Sequence, residues 1–285
     1  MRRIGIMQGR LLPPGDGSIQ HFPRGRWREE FSLAAQAGLD AIEWIYDSHG
    51  ADVNPLASDD GIRELRELSH LSAVDVVSVC ADYFMEQPLV RANQRERADR
   101  TRTLLWLLER CQLAGIIRVV LPFVDTSKIE DEEDVACIVE LMEQVLPYAE
   151  ATGVELHLET SLNPSAFSAL LERVPNTFVK VNYDSGNSAS LGYLPREEFA
   201  AYGLRIGSVH IKDRVKSGNT VALGQGSTDF GAVFDGLHRM RYSGDLVLQA
   251  ARGESHDEVA RARSNKAFVL EHLRRASHTT GANQR

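Results

Sequence analysis

Residues 150–161 read EATGVELHLETS. A helical pattern ends on Gly153, a residue that adopts the left-handed backbone conformation at little steric cost and so stops a helix. A short apolar run follows at once and closes on a polar residue, Glu159. The same grammar recurs in QAGLDAIEW (36–44) and QLAGIIRVV (112–120), with Gly38 and Gly115 in the place of Gly153. A helix, a glycine and a buried strand form the repeating unit of a parallel sheet, because parallel strands need a long crossover between them.

Working outward, eight apolar runs fit strands: Ile4–Met7, Ala41–Ile45, Val76–Cys80, Arg118–Pro122, Val154–Glu159, Phe178–Asp184, Ile206–Ile211 and Leu246–Gln249. Helical patterns lie between them at Trp27–Ala37, Gly61–Leu71, Arg95–Ala114, Glu132–Ala151, Pro164–Arg173 and Phe230–Arg239, and a last one runs from His256 to about Ala276. Asp131 and Asp134 suit the positive N-terminal end of the helix they open. Closure into a single (β/α)₈ TIM barrel, an α/β fold, is the economical solution. Such barrels typically have roughly 250 residues, and this chain has 285. An open doubly wound sheet is the alternative, but no GxGxxG follows the first strand, so its dinucleotide-binding version has no support. No composition break marks a linker. One domain over 1–277 is expected, followed by a flexible polar tail, HTTGANQR (278–285). The Pro/Gly-rich stretch LLPPGDGSIQHFPRGRW (11–27) follows the first strand, where a long loop serves as a lid or substrate wall.

Composition bounds the function. A hydrophobic fraction of 43% and a charged fraction of 25% suffice for a sizeable core. The net charge of −8 argues against a general nucleic-acid binder, which needs a basic face to displace counterions. Cys80, Cys111 and Cys137 are odd in number and lack CxxC spacing, so they read as small buried hydrophobes in a reducing compartment. The N-terminal apolar stretch is too short for a signal-peptide core, and no run approaches the ~18 residues of a membrane span. A cytoplasmic protein without membrane partners is expected.

The chemistry sits at strand ends. Glu159 closes ELHLETS, Asp184 closes VKVNYDSGN, His210 lies in GSVHIKD and Gln249 in DLVLQAAR. Polar residues at these positions face the barrel mouth, where active sites of this fold are built. Each alone has a bland reading: a helix cap for Asp184, an arginine partner for Glu159, a hydrogen-bonded core histidine for His210. Together, Glu, Asp and His on consecutive strands form a ligand set for one divalent ion, Mn²⁺, Mg²⁺, Co²⁺ or Zn²⁺.

LHLETS, VNYDSGN, VHIKDR and GQGSTDFGAVFDGL, with the opening IGIMQGRLLPP and IEWIYD, resemble the xylose isomerase-like TIM-barrel family over nearly the whole chain. That family includes sugar isomerases and 3-epimerases, hydroxypyruvate isomerase, inosose dehydratase and endonuclease IV. The resemblance implies that Glu159, Asp184 and His210 bind the metal. It also implies a fourth ligand near the end of strand eight, usually a glutamate, where this chain has Gln249. A homodimer or homotetramer acting on a small carbohydrate is implied as well. Glutamine has no basic carboxylate, although its carbonyl oxygen can approach a metal and its amide can donate to a substrate oxygen. Two-base epimerisation of the family kind is therefore in doubt, whereas one-base enolisation, isomerisation or elimination of water stay open.

The expected chemistry is proton removal beside a carbonyl, with the metal stabilising an enediolate and Glu159 or another pocket carboxylate as base. Glu159 and Gln249 are the catalytic candidates. Glu43, His157, Asn187, Lys212, Arg252 and Arg10 are substrate-site candidates. His157 shares the face of Glu159 two residues away and can orient it from a deeper layer, or be a satisfied core histidine. Asp82 follows strand three and can face the pocket. Trp44, of opposite parity to Glu43, reads as core. GQGSTDF (224–230) could cradle a phosphate, but it lacks the P-loop lysine and reads as a loop before a helix with Asp229 near its N-terminus. The competing functions are a dehydratase of an inosose- or dehydroshikimate-like substrate, a nuclease, which would need more histidines and carboxylates, and a catalytically altered binding protein.

Overall fold

The computed structural model describes residues 2–13, 20–252 and 257–282. At its centre is a closed barrel. The strands are β1 (Ile4–Met7), β2 (Ala41–Ile45), β3 (Asp75–Cys80), β4 (Arg118–Phe123), β5 (Glu155–Thr160), β6 (Val179–Asp184), β7 (Ile206–Ile211) and, after a two-strand excursion, β10 (Leu246–Leu248). Their spatial order is β1-β10-β7-β6-β5-β4-β3-β2, every pairing parallel. The chain is thus the single (β/α)₈ barrel its sequence implies. The barrel strands are buried over most of their length, as a parallel sheet covered by helices requires, and this is why they read as unbroken apolar runs.

The surrounding helices are α1 (Glu29–Ala37), α2 (Asp59–Ser72), α3 (Tyr83–Glu86), α4 (Gln94–Ala114), α5 (Glu132–Thr152), α6 (Pro164–Arg173), α7 (Ser185–Leu191), α8 (Pro195–Tyr202), α9 (Phe230–Arg239) and α10 (Glu258–Ala282). Gly38, Gly115 and Gly153 terminate α1, α4 and α5 with φ of 71°, 81° and 70°, as their sequence positions predict. Asp131 caps α5 by accepting from the Asp134 amide (3.0 Å).

The boundary expected at residue 277 falls inside α10, which continues through Ala282; residues 283–285 lie outside the described residues. Helices α7 and α8, each at most eight residues long, and the hairpin of β8 (Asp213–Arg214) and β9 (Thr220–Val221) are too short to show periodicity in sequence.

The loop after β1 is fastened by aromatic packing. Phe22, Trp27 and Phe31 surround Trp44 with ring centroids 5.5–6.1 Å from it, a range suited to tilted and edge-on contacts. Trp44 is core, and its Nε1 donates to Asn54 Oδ1 (3.1 Å). Residues 14–19 of the expected lid lie outside the described residues, while its flanks at Leu11, Leu12 and Phe22 are buried.

Candidate metal centre

Parallel pairing aligns strand ends. Asp184 on β6 is in register with His210 on β7, and Glu159 on β5 faces the same mouth. Glu159, Asp184 and His210 are all buried, and each offers a ligand atom within 4.8 Å of the others. His210 Nδ1 stands 3.3 Å from Glu159 Oε2 and 3.9 Å from Asp184 Oδ2.

The two readings of Asp184 divide between its oxygens. Oδ1 accepts from the Gly186 and Asn187 amides (2.9 and 2.8 Å), capping α7, while Oδ2 faces His210 and the Lys212 ammonium (3.3 Å). Glu159 is held from both sides: Asn182 Nδ2 donates to Oε2 (2.7 Å) and Asn187 Nδ2 to Oε1 (2.8 Å). Burial pushes the Glu159 carboxyl upward, but His210, Lys212 and Asn182 outweigh it and leave the group below its ordinary value, hence ionised.

Glu43 lies beneath the centre rather than in the substrate cavity. Its Oε1 is 2.5 Å from His210 Nε2, and its Oε2 accepts from Ser78 Oγ (2.6 Å). This carboxylate fixes the imidazole so that Nδ1 faces Glu159 and Asp184, the kind of outer support that metal-binding histidines receive. Burial disfavours a charged imidazole here, yet Glu43 and Glu159 raise its pKa well above the ordinary value. A proton held by surrounding carboxylates marks a place of negative potential that a cation can take over. The donor set therefore fits a divalent ion, which Glu159, Asp184 and His210 Nδ1 could hold.

Beside the centre opens a cavity of about 930 Å³ lined by Arg10, Gln20, Asp82, Glu159, Lys212 and Gln249, among others. Gln249 is buried just past β10. Its Nε2 donates to Gln20 Oε1 (2.8 Å), and its Oε1 has no hydrogen-bond partner among the described residues. Arg10 donates to Gln20 Oε1 (3.3 Å) and is held down to about 10, chiefly by burial and then by Arg252. Lys212 is in the cavity wall rather than in a solvated loop. Asn187 also lines it, accepting from Arg214 Nη1 (3.0 Å).

Besides Glu43, two further substrate-site candidates lie outside the cavity lining. His157 touches Ser208 Oγ (2.7 Å) and Glu155 Oε2 (2.9 Å), not Glu159. It sits one layer below Glu159 in the barrel interior, and burial holds its pKa at about 4, so it is a neutral core histidine. Arg252 donates to the carbonyls of Gly9 and Leu12 (2.6 Å each), holding the first loop in place, and it is absent from the cavity lining. The GQGSTDF segment is no phosphate cradle. Its Gly224, Gly226 and Thr228 amides donate to the buried carboxylate of Asp213, and a Cβ at Gly226 would fall 2.2 Å from that group. Asp229 caps α9 as expected.

Asn182, Ser78 and Gln20 were not apparent from sequence. Asn182 shares face parity with Asp184 and could have been found that way. Gln20 sits in an irregular loop that carries no periodic signal.

The molecule is thus a closed α/β barrel with a carboxylate–carboxylate–imidazole centre at the C-terminal ends of its strands. The chain belongs to the xylose isomerase-like TIM barrel family, whose profile matches residues 31–271. Among solved structures, an L-ribulose 3-epimerase superposes with a TM-score of 0.81 at 19% identity, covering 100% of this chain and 99% of the other. The IOLI protein with a binding zinc atom gives 0.77 at 18% identity, covering 96% and 99%. D-psicose 3-epimerase with D-tagatose from Clostridium cellulolyticum H10 gives 0.73 at 18%, covering 95% and 99%. At such identities the likeness establishes the barrel. No curated protein matches the sequence significantly. No described helix is long and apolar enough to cross a membrane.

Proposed function

We propose that this chain is a divalent-metal-dependent isomerase or epimerase of a sugar, sugar phosphate or related polyol ketone, acting in the cytoplasm by proton removal next to the carbonyl. The observation that carries the reading is the convergence of Glu159, Asp184 and His210 within 4.8 Å beside a cavity of substrate size. The names of the structural neighbours, ketose 3-epimerases among them, point the same way.

A bound divalent ion would supply Lewis-acid polarisation of the substrate carbonyl. The chain supplies the rest. Asn182 and Asn187 hold the Glu159 carboxylate in one orientation, so that it takes the substrate proton as an enediolate forms. Lys212, in the cavity wall beside Asp184, can stabilise negative charge on a substrate oxygen. Gln249 offers an acceptor oxygen, unpartnered among the described residues, for a substrate hydroxyl. Because Gln249 cannot act as a base, elimination of water from the same enediolate is a second reading.

The test incubates Mn²⁺-, Mg²⁺-, Co²⁺- or Zn²⁺-loaded protein with L-ribulose, D-psicose and D-tagatose in deuterated water and follows deuterium entry by NMR. Exchange beside the carbonyl is expected, and Glu159→Gln should reduce it by about 10²–10⁴-fold. Absence of exchange with every metal and ketose overturns the reading. An alkene in the product would assign the elimination.

A further inference from the structure

A proton taken from carbon by Glu159 must be replaced on the substrate from somewhere, and Gln249 cannot supply it. The carboxylates that line the cavity besides Glu159 are Asp47, Asp82, Glu86 and Asp125. Asp47 accepts from the Phe22 and Gly50 amides (2.7 Å each) and so builds the loop wall. Glu86 is committed to Ser48, and Asp125 is exposed. Asp82 remains. It is buried at the end of β3 and is paired with no cation at salt-bridge distance among the described residues.

Its contacts place it in the reacting space. Asp82 Oδ2 accepts from Gln20 Nε2 (2.7 Å), and Gln20 Oε1 accepts from Gln249 Nε2 (2.8 Å). One glutamine of the first loop therefore joins Asp82 to the strand-eight position that carries no carboxylate. The Cys80 thiol, 3.1 Å from Oδ1, is a weak donor.

We propose that Asp82 is the second proton-transfer residue of this pocket; the inference rests on the reading of Glu159 as the base. The substrate C–H bond breaks, its proton goes to Glu159 and its electron pair forms the carbon–carbon double bond of the enediolate. The O–H bond of protonated Asp82 then breaks. Its proton joins the enediolate at carbon, the double-bond pair becoming the new C–H bond as the carbonyl re-forms. Glu159 returns its proton to water and Asp82 takes one from water, so no net proton is consumed. Asp82 is suited to this step: burial raises its pKa to about 6, with Gln20 and Cys80 opposing the shift and Glu159 and Asp47 adding to it. Arg10 is the cation that senses it. A protonated fraction therefore persists near neutral pH.

The experiment compares the full-length, Mn²⁺-loaded chain with Asp82→Asn in deuterated water, using a ketose that the wild type converts. Asp82→Asn should lower conversion by about 10²-fold or more while Glu159-driven exchange of the substrate proton continues, so that the ratio of exchange to conversion rises. Conversion within threefold of wild type overturns the proposal. So does an equal fall in exchange and conversion at unchanged metal affinity. A wild type that shows neither exchange nor conversion instead removes the Glu159 reading on which the proposal stands. A second measurement needs no turnover: ¹³C-carboxyl NMR of the Mg²⁺-loaded chain should show an aspartate titrating above its ordinary value that moves further upward in Gln20→Leu, which removes its strongest donor. Titration at an ordinary aspartate value of about 4 overturns the assignment.

Discussion

The two ends of the barrel are built from the same residue types and arranged to opposite effect. At the N-terminal end, Arg118 and Asp245 form a buried ion pair. Asp245 also receives Arg3 (3.0 Å), and Arg3 reaches on to Asp75 (3.0 Å). Glu155 takes both Lys180 (2.6 Å) and His157 (2.9 Å). At the mouth, Glu159 and Asp184 share one imidazole and one lysine, and, among the described residues, Asp82 has no cation at salt-bridge distance and Gln249 Oε1 lacks a hydrogen-bond partner. The lower network pairs each of its carboxylates with at least one cation and contributes to stability. The upper one has polar capacity left over, and that capacity is what a ligand can use.

That contrast makes the lower end the place where a single change costs most in stability. Asp245→Asn leaves the Arg118 charge buried without its carboxylate, and a loss of about 3–5 kcal/mol is expected by denaturant titration. Metal affinity of the folded fraction should stay unchanged; a fall in affinity would show that the two ends are coupled and break the comparison.

A smaller effect, confined to the mouth, is expected from Glu43→Gln. His210 keeps a hydrogen-bond partner but loses the charge behind it, so Mn²⁺ or Zn²⁺ affinity by calorimetry should fall about 10–100-fold. An unchanged affinity would assign Glu43 to packing alone.

A third effect is a pH slope. His157 is neutral when folded, with a pKa of about 4 against the ordinary 6.5. Between these values the unfolded chain binds a proton that the folded chain does not. Its contribution is therefore complete above 6.5 and is lost as pH falls toward 4. His157→Asn should flatten stability against pH within that window. A slope that persists unchanged would move its origin to other groups, the mouth among them.

The sequence by itself determined the architecture and the placement of Glu159, Asp184 and His210 at strand ends. The strand-and-helix alternation and its glycine stops are local properties, and local chemistry suffices to specify them. Glu159, Asp184 and His210 were legible because each interrupts an apolar run at the same point of the repeat. What each polar group touches was decided only by tertiary structure. His157 and Glu159 have identical parity two residues apart, yet the depth of the barrel assigns one to the lower network and the other to the mouth. Glu43 meets His210 across 167 positions of chain, and Arg252 is drawn to the carbonyls of Gly9 and Leu12 rather than to the cavity. Gln20 joins Asp82 to Gln249 from an irregular loop. Closure of the barrel brings such residues together, and hydrogen bonds between distant segments leave no periodic trace along the chain.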